Sequence, residues 1–293
     1  MTNLKHAYLI EAHKDDYVFY SLLKMLDHKL NDIYIHMDAK NVGFDAEQAK
    51  KTVHQSHVFF TQRTSVMWGG YSQINAELLL LKNAIESNEY AYYHLLSGQD
   101  LPIKSQSYIH DFFEKNNGLE FVRFENESFQ YYDRTKYYYW LQDRVGRKHK
   151  FLTISLKTIQ QKCHINRNKD ITFQKGSNWF SITDSLARYV VSKEDWIKKT
   201  FHDTICCDEV FLQTIIVNSA FKDRLAQTTF NDSNEMFMRL IDWERGNPYI
   251  FTISDLNEIE SSPMLFCRKF SSEVDVAIID TIVNLFQEKQ MKG

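Results

Sequence analysis

Apolar and polar residues along the first hundred positions predict strands and helices in alternation. Short apolar runs at 7–12 and 57–60, and the alternating run Ile33–Met37, are typical of strands. Apolar residues at every third or fourth position predict a helix from about Val18 to Leu30, which Asp15 or Asp16 would cap. A second helix is predicted over 72–85 and a further strand over 90–96.

This alternation favours an α/β fold with a mainly parallel central sheet flanked by helices. Ligands of such sheets bind beyond the carboxyl ends of the strands. Asp38 follows the second predicted strand, while Trp68 and the segment Ser97–Asp100 lie near the same edge. We therefore expect a ligand site there.

The pattern changes in the middle of the chain and then returns. Residues 126–175 contain a tyrosine-rich run at 137–140, followed by the cations Arg144, Arg147, Lys148 and Lys150, which predicts an insertion over the sheet edge. After it we predict a strand at 179–182, a helix at 185–191, a helix after Asp208 and a final helix at 274–289.

Composition and charge exclude several classes of protein. The 293 residues are 43% hydrophobic and 25% charged, which excludes a disordered chain. The net charge of −3 makes nucleic acid an unsuitable main partner. The amino terminus does not resemble a signal peptide, and no segment is apolar enough to span a bilayer, so membrane contact would be peripheral. The four cysteines, without a CxxC pair, predict reduced thiols and a cytosol-like compartment.

Candidate chemistry is concentrated in the last third of the chain. Asp208 and Glu209 would lie in the first turn of a helix, either as capping residues or with one of them as a carboxylate base. Arg239, and Lys269 with the adjacent Arg268, could form surface salt bridges or bind a phosphate. The chain has no GxGxxG after its first strand, which argues against NAD chemistry, and no Asp-x-Asp for Mg²⁺ or Mn²⁺.

Six segments in the same order resemble the core-2/I-branching β-1,6-N-acetylglucosaminyltransferase and peptide O-xylosyltransferase family, glycosyltransferase family 14. They are IHMDAK (35–40), VMWGGYS (66–72), LSGQDLPIK (96–104), GSNWF (176–180), CDEVFLQT (207–214) and FCRKF (266–270). The resemblance implies a single GT-A type domain over 1–293, with a Rossmann-like sheet. Its parts would be a nucleotide-binding half (1–125), a variable insertion that could hold the acceptor (126–175), and a catalytic, diphosphate-binding half (176–293).

The resemblance also implies roles for individual residues. Glu209 matches the position of the catalytic base, and Arg239 and Lys269 match cations that bind the leaving diphosphate in place of a metal. Asp38 and Trp68 would contact the nucleoside. The remaining candidates would line the cleft for donor and acceptor: Ser97, Gln99, Asp100, Ser177, Trp179 and Asp208.

These roles describe an inverting transferase that needs no metal or other cofactor and uses a UDP-sugar as donor. N-acetylglucosamine is the favoured sugar, with xylose, glucose or galactose as alternatives, and the acceptor would be a glycan or lipid-linked glycan. The chain looks like a bacterial-type member acting in the cytoplasm, or at the inner face of the membrane, in surface or exported polysaccharide synthesis. A non-catalytic subunit that binds sugar nucleotides or glycans is the alternative from another class.

The insertion does not match the family pattern, so its role stays open. Its tyrosines and arginines could stack on sugar rings or face an anionic lipid-linked acceptor. They could equally form a solvated basic helix with packed tyrosines.

Overall fold

The computed structural model describes residues 4–146 and 150–291. Within these residues, the larger of two sheets has six strands in the order β3-β2-β1-β4-β7-β6. Strands β1 to β4 are parallel to one another, and β7 is antiparallel to both β4 and β6. The strands are β1 (His6–Ala12), β2 (Asn31–Met37), β3 (His57–Phe60), β4 (Tyr92–Ser97), β6 (Phe121–Phe124) and β7 (Gly176–Thr183). The predicted α/β fold with a mainly parallel sheet is confirmed.

A smaller sheet lies beside the carboxyl edge of the larger one. Its order is β5-β9-β8, with β5 (Asp100–Pro102) antiparallel to β9 (Phe266–Arg268), and β8 (Arg239–Ile241) parallel to β9. The register pairs Asp100 with Arg268 and Arg239 with Phe266. These strands are three residues each and carry no long periodic pattern, so the sequence did not predict them.

The helices cover both faces of the larger sheet. They are α1 (Tyr17–Leu26), α2 (Ala46–Lys51), α3 (Tyr71–Ser87), α4 (Gln106–Lys115), α5 (Tyr132–Lys136), α6 (Gln142–Val145), α7 (Lys150–Lys162), α8 (Asp184–Ser192), α9 (Glu194–Phe201), α10 (Phe211–Val217), α11 (Leu256–Ser261) and α12 (Val276–Met291). One hydrophobic cluster joins Leu9 of β1 to Leu78 of α3, and a second joins Ile10 of β1 to Leu22 of α1 and Ile279 of α12. Strand β1 is therefore buried on both faces, which explains its continuous apolar run.

The first helix confirms the predicted cap but ends earlier than its pattern indicates. Asp16 accepts the backbone N–H groups of Val18 and Phe19 at 3.1 and 3.2 Å, as an N-cap residue should. The helix ends at Leu26 because the carboxylate of Asp27 binds backbone N–H groups of the neighbouring loop, His54 to Ser56, at 2.7 to 2.9 Å. Leu30 lies in the turn before β2.

Two further features concern the chain as a whole. None of the helices in the described ranges is long and apolar enough to cross a membrane. Strands β6 and β7, which flank the insertion, pair with each other in the larger sheet.

Candidate active site

An open cavity of about 440 Å³ lies where the loops after β1 and β2 leave the sheet. Its lining comes from His13 to Asp16 and from Asp38, Lys40 and Asn41. Asp38 directly follows β2 and is 5% exposed; its Oδ1 accepts the Lys40 N–H at 2.9 Å, and Lys40 Nζ lies 3.2 Å from Oδ2. Asp38 thus lies at the predicted sheet edge, in the wall of a cavity.

Trp68 lies on the segment next to this cavity wall, although it is not among the lining residues. Lys40 Nζ donates to the carbonyl of Val66 at 2.6 Å, which joins the two segments. The Trp68 side chain is 51% exposed, and its carbonyl accepts the amide of Gln142 at 2.8 Å. The contact of Trp68 with a nucleoside stays a prediction.

Cations gather on one side of the cavity. Burial and the charges of Arg268 and Lys14 lower the pKa of Lys269, and burial together with Lys14 and Lys269 lowers the pKa of His13. Cations that lower one another's pKa values in this way would be stabilised by a bound anion. His13 and Lys14 line the cavity, and Lys269 lies close enough to both to affect their electrostatics, although it is not itself a lining residue.

Arg268, which the sequence places beside Lys269 among the candidate cations but to which it assigns no separate role, is held by several neighbouring side chains. Its Nη1 donates to Asp100 Oδ1 at 2.7 Å and to Ser97 Oγ, and its guanidinium lies 4.5 Å from the centre of the Trp179 ring. Its place in the sequence next to Lys269 was the available signal. A guanidinium held on three sides is fixed in direction before any ligand arrives.

The segment Ser97–Asp100 supports Arg268 from within the protein. Ser97 donates its backbone N–H to Asp100 Oδ2 at 2.8 Å and its hydroxyl to Oδ1 at 2.7 Å, and Asp100 is only 2% exposed. The half-buried Gln99 accepts the Phe270 N–H on its carbonyl at 3.0 Å, which ties this turn to the residue after Lys269. Ser97 and Asp100 were predicted to line the cleft, and in the structure both contact Arg268.

Arg239 lies in the interior, which does not fit its predicted contact with a diphosphate. The residue is 2% exposed, and its guanidinium donates to the carbonyls of Phe237, Leu95 and Phe180. Burial lowers the pKa of Arg239 to about 9. The β4–β7 ladder stops at the pair formed by His94 and Ser181, so Arg239 supplies donors to carbonyls beyond its end. The contacts that the structure shows for Arg239 are thus with the sheet, and its contact with a diphosphate stays a prediction.

Glu209 is half-buried and lies in a turn that precedes α10. The predicted first-turn position is wrong, because the helix begins at Phe211 and neither Asp208 nor Glu209 caps it. The carbonyl of Glu209 accepts the Gly176 N–H at 2.9 Å. Gly176 is required there because a Cβ atom would lie 1.7 Å from the carbonyl oxygen of Arg123.

The side chain of Glu209 belongs to a set of charged groups that we call the Glu209 network: Glu209, Arg134, Lys175 and Glu125. Glu209 Oε2 lies 2.8 Å from Arg134 Nη1 and 3.6 Å from Lys175 Nζ. Lys175 Nζ also lies 3.1 Å from Glu125 Oε1. The network brings two carboxylates and two cations together at a partly exposed place.

Asp208 points instead into a second group, the buried acid cluster of Glu11, Glu77 and Asp208. Within the described residues, Glu11 Oε1, Asp208 Oδ1 and both oxygens of Glu77 are buried without a hydrogen-bond partner. Burial and the charge of Asp208 raise the pKa of Glu11 to about 8, and burial and the charge of Glu209 raise that of Asp208 to about 7. Burial raises the pKa of Glu77 well above its usual range. A single glutamate on the apolar face of a predicted helix was the signal for Glu77.

Ser177 and Trp179 lie on β7. The carbonyl of Ser177 accepts the Gln213 amide at 2.6 Å, and Trp179, 7% exposed, packs under Arg268. The pairing of Gly176 with Glu209 places the start of β7 beside Glu209.

Several contacts fasten the insertion to the rest of the protein. Asp143 accepts the backbone N–H groups of Tyr71 and Ser72, at the start of α3, both at 3.1 Å, and Arg134 reaches Glu209. The rings of Tyr138 and Trp140 stack with centres 5.2 Å apart, and Trp140 is 52% exposed. Part of the predicted basic run, 147–149, lies outside the described residues.

The described residues were compared with the ligand groups that metal ions need. Nowhere in residues 4–146 and 150–291 do three or more His, Cys, Asp or Glu side chains form a group that could hold a metal ion. The cysteines Cys163, Cys206, Cys207 and Cys267 are free thiols.

Comparisons with known proteins give a consistent family assignment. The family model described as "Branch: Core-2/I-Branching enzyme" matches residues 6–264. Xylosyltransferase 2 of Rattus norvegicus is 24% identical over 286 residues, covering 89% of this chain and 31% of the relative. Xylosyltransferase sqv-6 of Caenorhabditis elegans is 24% identical over 84% of this chain and 32% of the relative. The chain thus spans about a third of the length of these relatives.

Among solved structures, mouse xyloside xylosyltransferase 1 in its apo form aligns with a TM-score of 0.35 at 9% identity. The alignment covers 89% of this chain and 96% of that one. Glucosyl-3-phosphoglycerate synthase from Mycobacterium tuberculosis aligns with a TM-score of 0.31 at 10% identity, over 69% of this chain and 68% of that one.

Proposed function

Because the chain belongs to the Core-2/I-Branching enzyme family, a family of glycosyltransferases, we propose that it transfers a sugar from a UDP-sugar to a hydroxyl group of a glycan. The observation that carries this proposal is the arrangement around one sheet edge. A cavity bordered by Asp38 and by mutually repelling cations lies at the ends of β1 and β2, and the partly exposed Glu209 lies beside β7 of the same sheet.

The proposed reaction is a single displacement with inversion. The carboxylate of Glu209 takes the proton of the acceptor hydroxyl as that oxygen forms a bond to C1 of the sugar. The bond from C1 to the diphosphate oxygen breaks on the opposite face, and UDP leaves with the electron pair. The base thereby makes the attacking oxygen a better nucleophile as the leaving group departs.

The charge that grows on the departing diphosphate would be met by Lys269 and Arg268. Fixed cations in a partly dry site stabilise such charge without the cost of reorienting solvent. Arg268 is held by Asp100 and Trp179, and Lys269 lies in the group of cations that includes Lys14. We propose that these two cations act in place of a divalent metal.

The donor sugar has two candidates. N-acetylglucosamine is the sugar that the motif resemblance favours, while the relatives carry the name xylosyltransferase, which favours xylose. We propose UDP as the nucleotide in either case, with Asp38 and Trp68 as the residues that contact the nucleoside. The acceptor would be a glycan or lipid-linked glycan of a surface or exported polysaccharide.

A donor screen tests the proposal. Thermal unfolding would be measured with UDP, UDP-N-acetylglucosamine, UDP-xylose, UDP-glucose and UDP-galactose, with GDP-mannose as the control nucleotide sugar. A ligand at about 100 times its Kd adds about 2.7 kcal/mol to the apparent stability. We expect UDP and at least one UDP-sugar to raise the Tm and GDP-mannose to leave it unchanged.

Release of UDP from the stabilising donor would then be measured with and without an oligosaccharide panel. Turnover supports the transferase. Stabilisation without any turnover of donor would instead identify a non-catalytic binding subunit, and no stabilisation by any uridine nucleotide would overturn the proposal.

The cellular location is also a proposal. We place the protein in the cytoplasm or at the inner face of the membrane, where UDP-sugars are made. Fractionation of cells that produce the tagged chain tests this, and recovery outside the cytoplasmic and inner-membrane fractions would contradict it.

A further inference from the structure

One oxygen of the Glu209 carboxylate is already occupied by cations. Glu209 Oε2 lies 2.8 Å from Arg134 Nη1 and 3.6 Å from Lys175 Nζ. Glu209 Oε1, in contrast, makes no hydrogen bond or ion pair with the residues that the structure describes. The two oxygens of this carboxylate therefore differ before a substrate binds.

The two cations are themselves fixed in position. The ring of Tyr131 contacts both of them, with its centre 4.7 Å from Arg134 Cζ and 4.9 Å from Lys175 Nζ. The Tyr131 hydroxyl donates to Glu125 Oε1 at 3.0 Å, and Lys175 contacts the same oxygen. An aromatic ring in contact with both cations limits the rotamers that either of them can adopt.

Arg134 also holds the backbone of the turn that carries Glu209. Its Nη1 donates to the carbonyl of Cys206 at 3.1 Å, three residues before Glu209. On the other side, Lys175 directly precedes Gly176, whose N–H donates to the carbonyl of Glu209. Backbone and side chain of Glu209 are thus held from both directions.

We infer that Arg134 and Lys175 are positioning residues for the proposed base: they bind Oε2 and leave Oε1 as the atom that receives the proton. This inference rests on the proposed function of Glu209. A base must lie within about 2.6–3.2 Å of the proton it removes, and small misplacements are costly in rate. A glutamate on a turn has three side-chain torsions to fix, and the ion pairs fix them.

Arg134 comes from the insertion 126–175, on α5, whereas the cavity is formed by the loops after β1 and β2. The inference therefore assigns the insertion a part in the chemical step. Substitution of Arg134 should therefore change kcat for transfer and leave the affinity for the donor unchanged.

The test uses Arg134→Gln and Arg134→Lys, with Lys157→Gln as the matched control. Lys157 lies in the same insertion and pairs with Asp133 at 2.8 Å, away from Glu209. We expect Arg134→Gln to lower kcat by about 10- to 100-fold with the KM for donor within about twofold of the wild type, as for a group that acts in the transition state. Arg134→Lys should restore part of kcat, and Lys157→Gln should match the wild type.

A double variant shows whether Arg134 acts through Glu209. If it does, Arg134→Gln combined with Glu209→Gln should be no slower than Glu209→Gln alone, since effects of residues that act as a unit are not additive. Lys175→Gln, expected to lower kcat less because its contact is longer, replaces Arg134→Gln if that protein does not fold.

Several outcomes would overturn the inference. Wild-type kcat in Arg134→Gln, full additivity in the double variant, or a change confined to the KM for acceptor would each do so, the last by showing direct acceptor binding. These are distinct from failure of the proposed function, which would appear as no transfer by the wild type or normal transfer by Glu209→Gln.

Discussion

Asp208 and Glu209 are neighbours in the chain and belong to regions with opposite electrostatics. Asp208 joins the buried acid cluster, where burial raises the pKa values of carboxyl groups that each have at least one oxygen without a partner in the described residues. Glu209 joins the Glu209 network, where carboxylates are matched by cations. A single peptide bond thus separates a carboxyl group whose pKa is raised by burial from a carboxyl group paired with cations.

The two residues hold the same turn in different ways. Gln73 Nε2 donates to Asp208 Oδ2 at 3.1 Å, which ties the turn to α3, while Glu209 faces the partly exposed side. Residues held by burial lose mobility at the cost of desolvation, and residues held by ion pairs keep their charge. The sequence pair Asp-Glu does not reveal which residue takes which place.

The largest effect expected from this contrast separates the two carboxylates directly. Glu209→Gln should lower the rate of transfer by about 10²-fold or more while UDP still binds, because the base is lost. Asp208→Asn should lower it by less than about tenfold, because an amide can still fill the buried position. Transfer kinetics and UDP titration check this, and an Asp208→Asn enzyme as slow as Glu209→Gln would move the base to the buried acid cluster.

Lys269 and Arg239 should differ in the same way, with one substitution affecting activity and the other affecting stability. Lys269→Ala should lower kcat by about 10- to 100-fold with little change in Tm, because a charge facing the diphosphate is removed. Arg239→Ala should lower the free energy of unfolding by about 2–4 kcal/mol, because the carbonyls of Leu95 and Phe180 lose their donor. Denaturant unfolding and steady-state kinetics measure both, and a normally stable but inactive Arg239→Ala would restore its assignment to the diphosphate.

A smaller effect should appear in the pH dependence of stability. The carboxyl groups of Glu11 and Glu77 have pKa values raised by burial, to about 8 for Glu11. Their stabilising contribution is complete below the unfolded-state values near 4.3 and is lost as pH rises through the folded-state values. Glu77→Gln, which cannot ionise, should reduce the loss of stability between pH 5 and 9 by about 1–3 kcal/mol.

The control for this measurement is Glu273→Gln, an exposed glutamate paired with Lys14. Its unfolding free energy should follow the wild-type slope over the same pH range. A Glu77→Gln protein with the wild-type slope would show that the buried acid cluster does not govern alkaline stability.

The smallest expected effect is no effect at all. If Arg268 and Lys269 stabilise the leaving diphosphate, an excess of EDTA should leave the transfer rate unchanged. Loss of activity on chelation, restored by Mn²⁺ or Mg²⁺, would contradict the role of the cation pair. Proteins dialysed with and without EDTA provide the comparison.

The sequence by itself determined the main architecture and the edge at which to look. Hydrophobic patterning predicted β1 to β4, α1, α3, β7, α8 and α12, and most of these elements bury continuous or periodic apolar faces, although β3 is short and only partly buried. It also indicated Asp38 at the end of β2 and singled out Glu209 and Lys269 by motif. Strands β5, β8 and β9 were missed because three-residue strands carry no period to detect.

Tertiary structure decided which of the charged residues meet. Arg239 and Arg268 are both arginines in apolar segments, yet one binds carbonyls in the interior and the other lies between Asp100 and Trp179 near Lys269. Arg134 and Glu209 are 75 positions apart and meet only because the insertion folds onto the turn before α10. Local sequence sets periodicity and capping, whereas desolvation and ion pairing depend on residues distant along the chain, so only the folded chain assigns each charge its role.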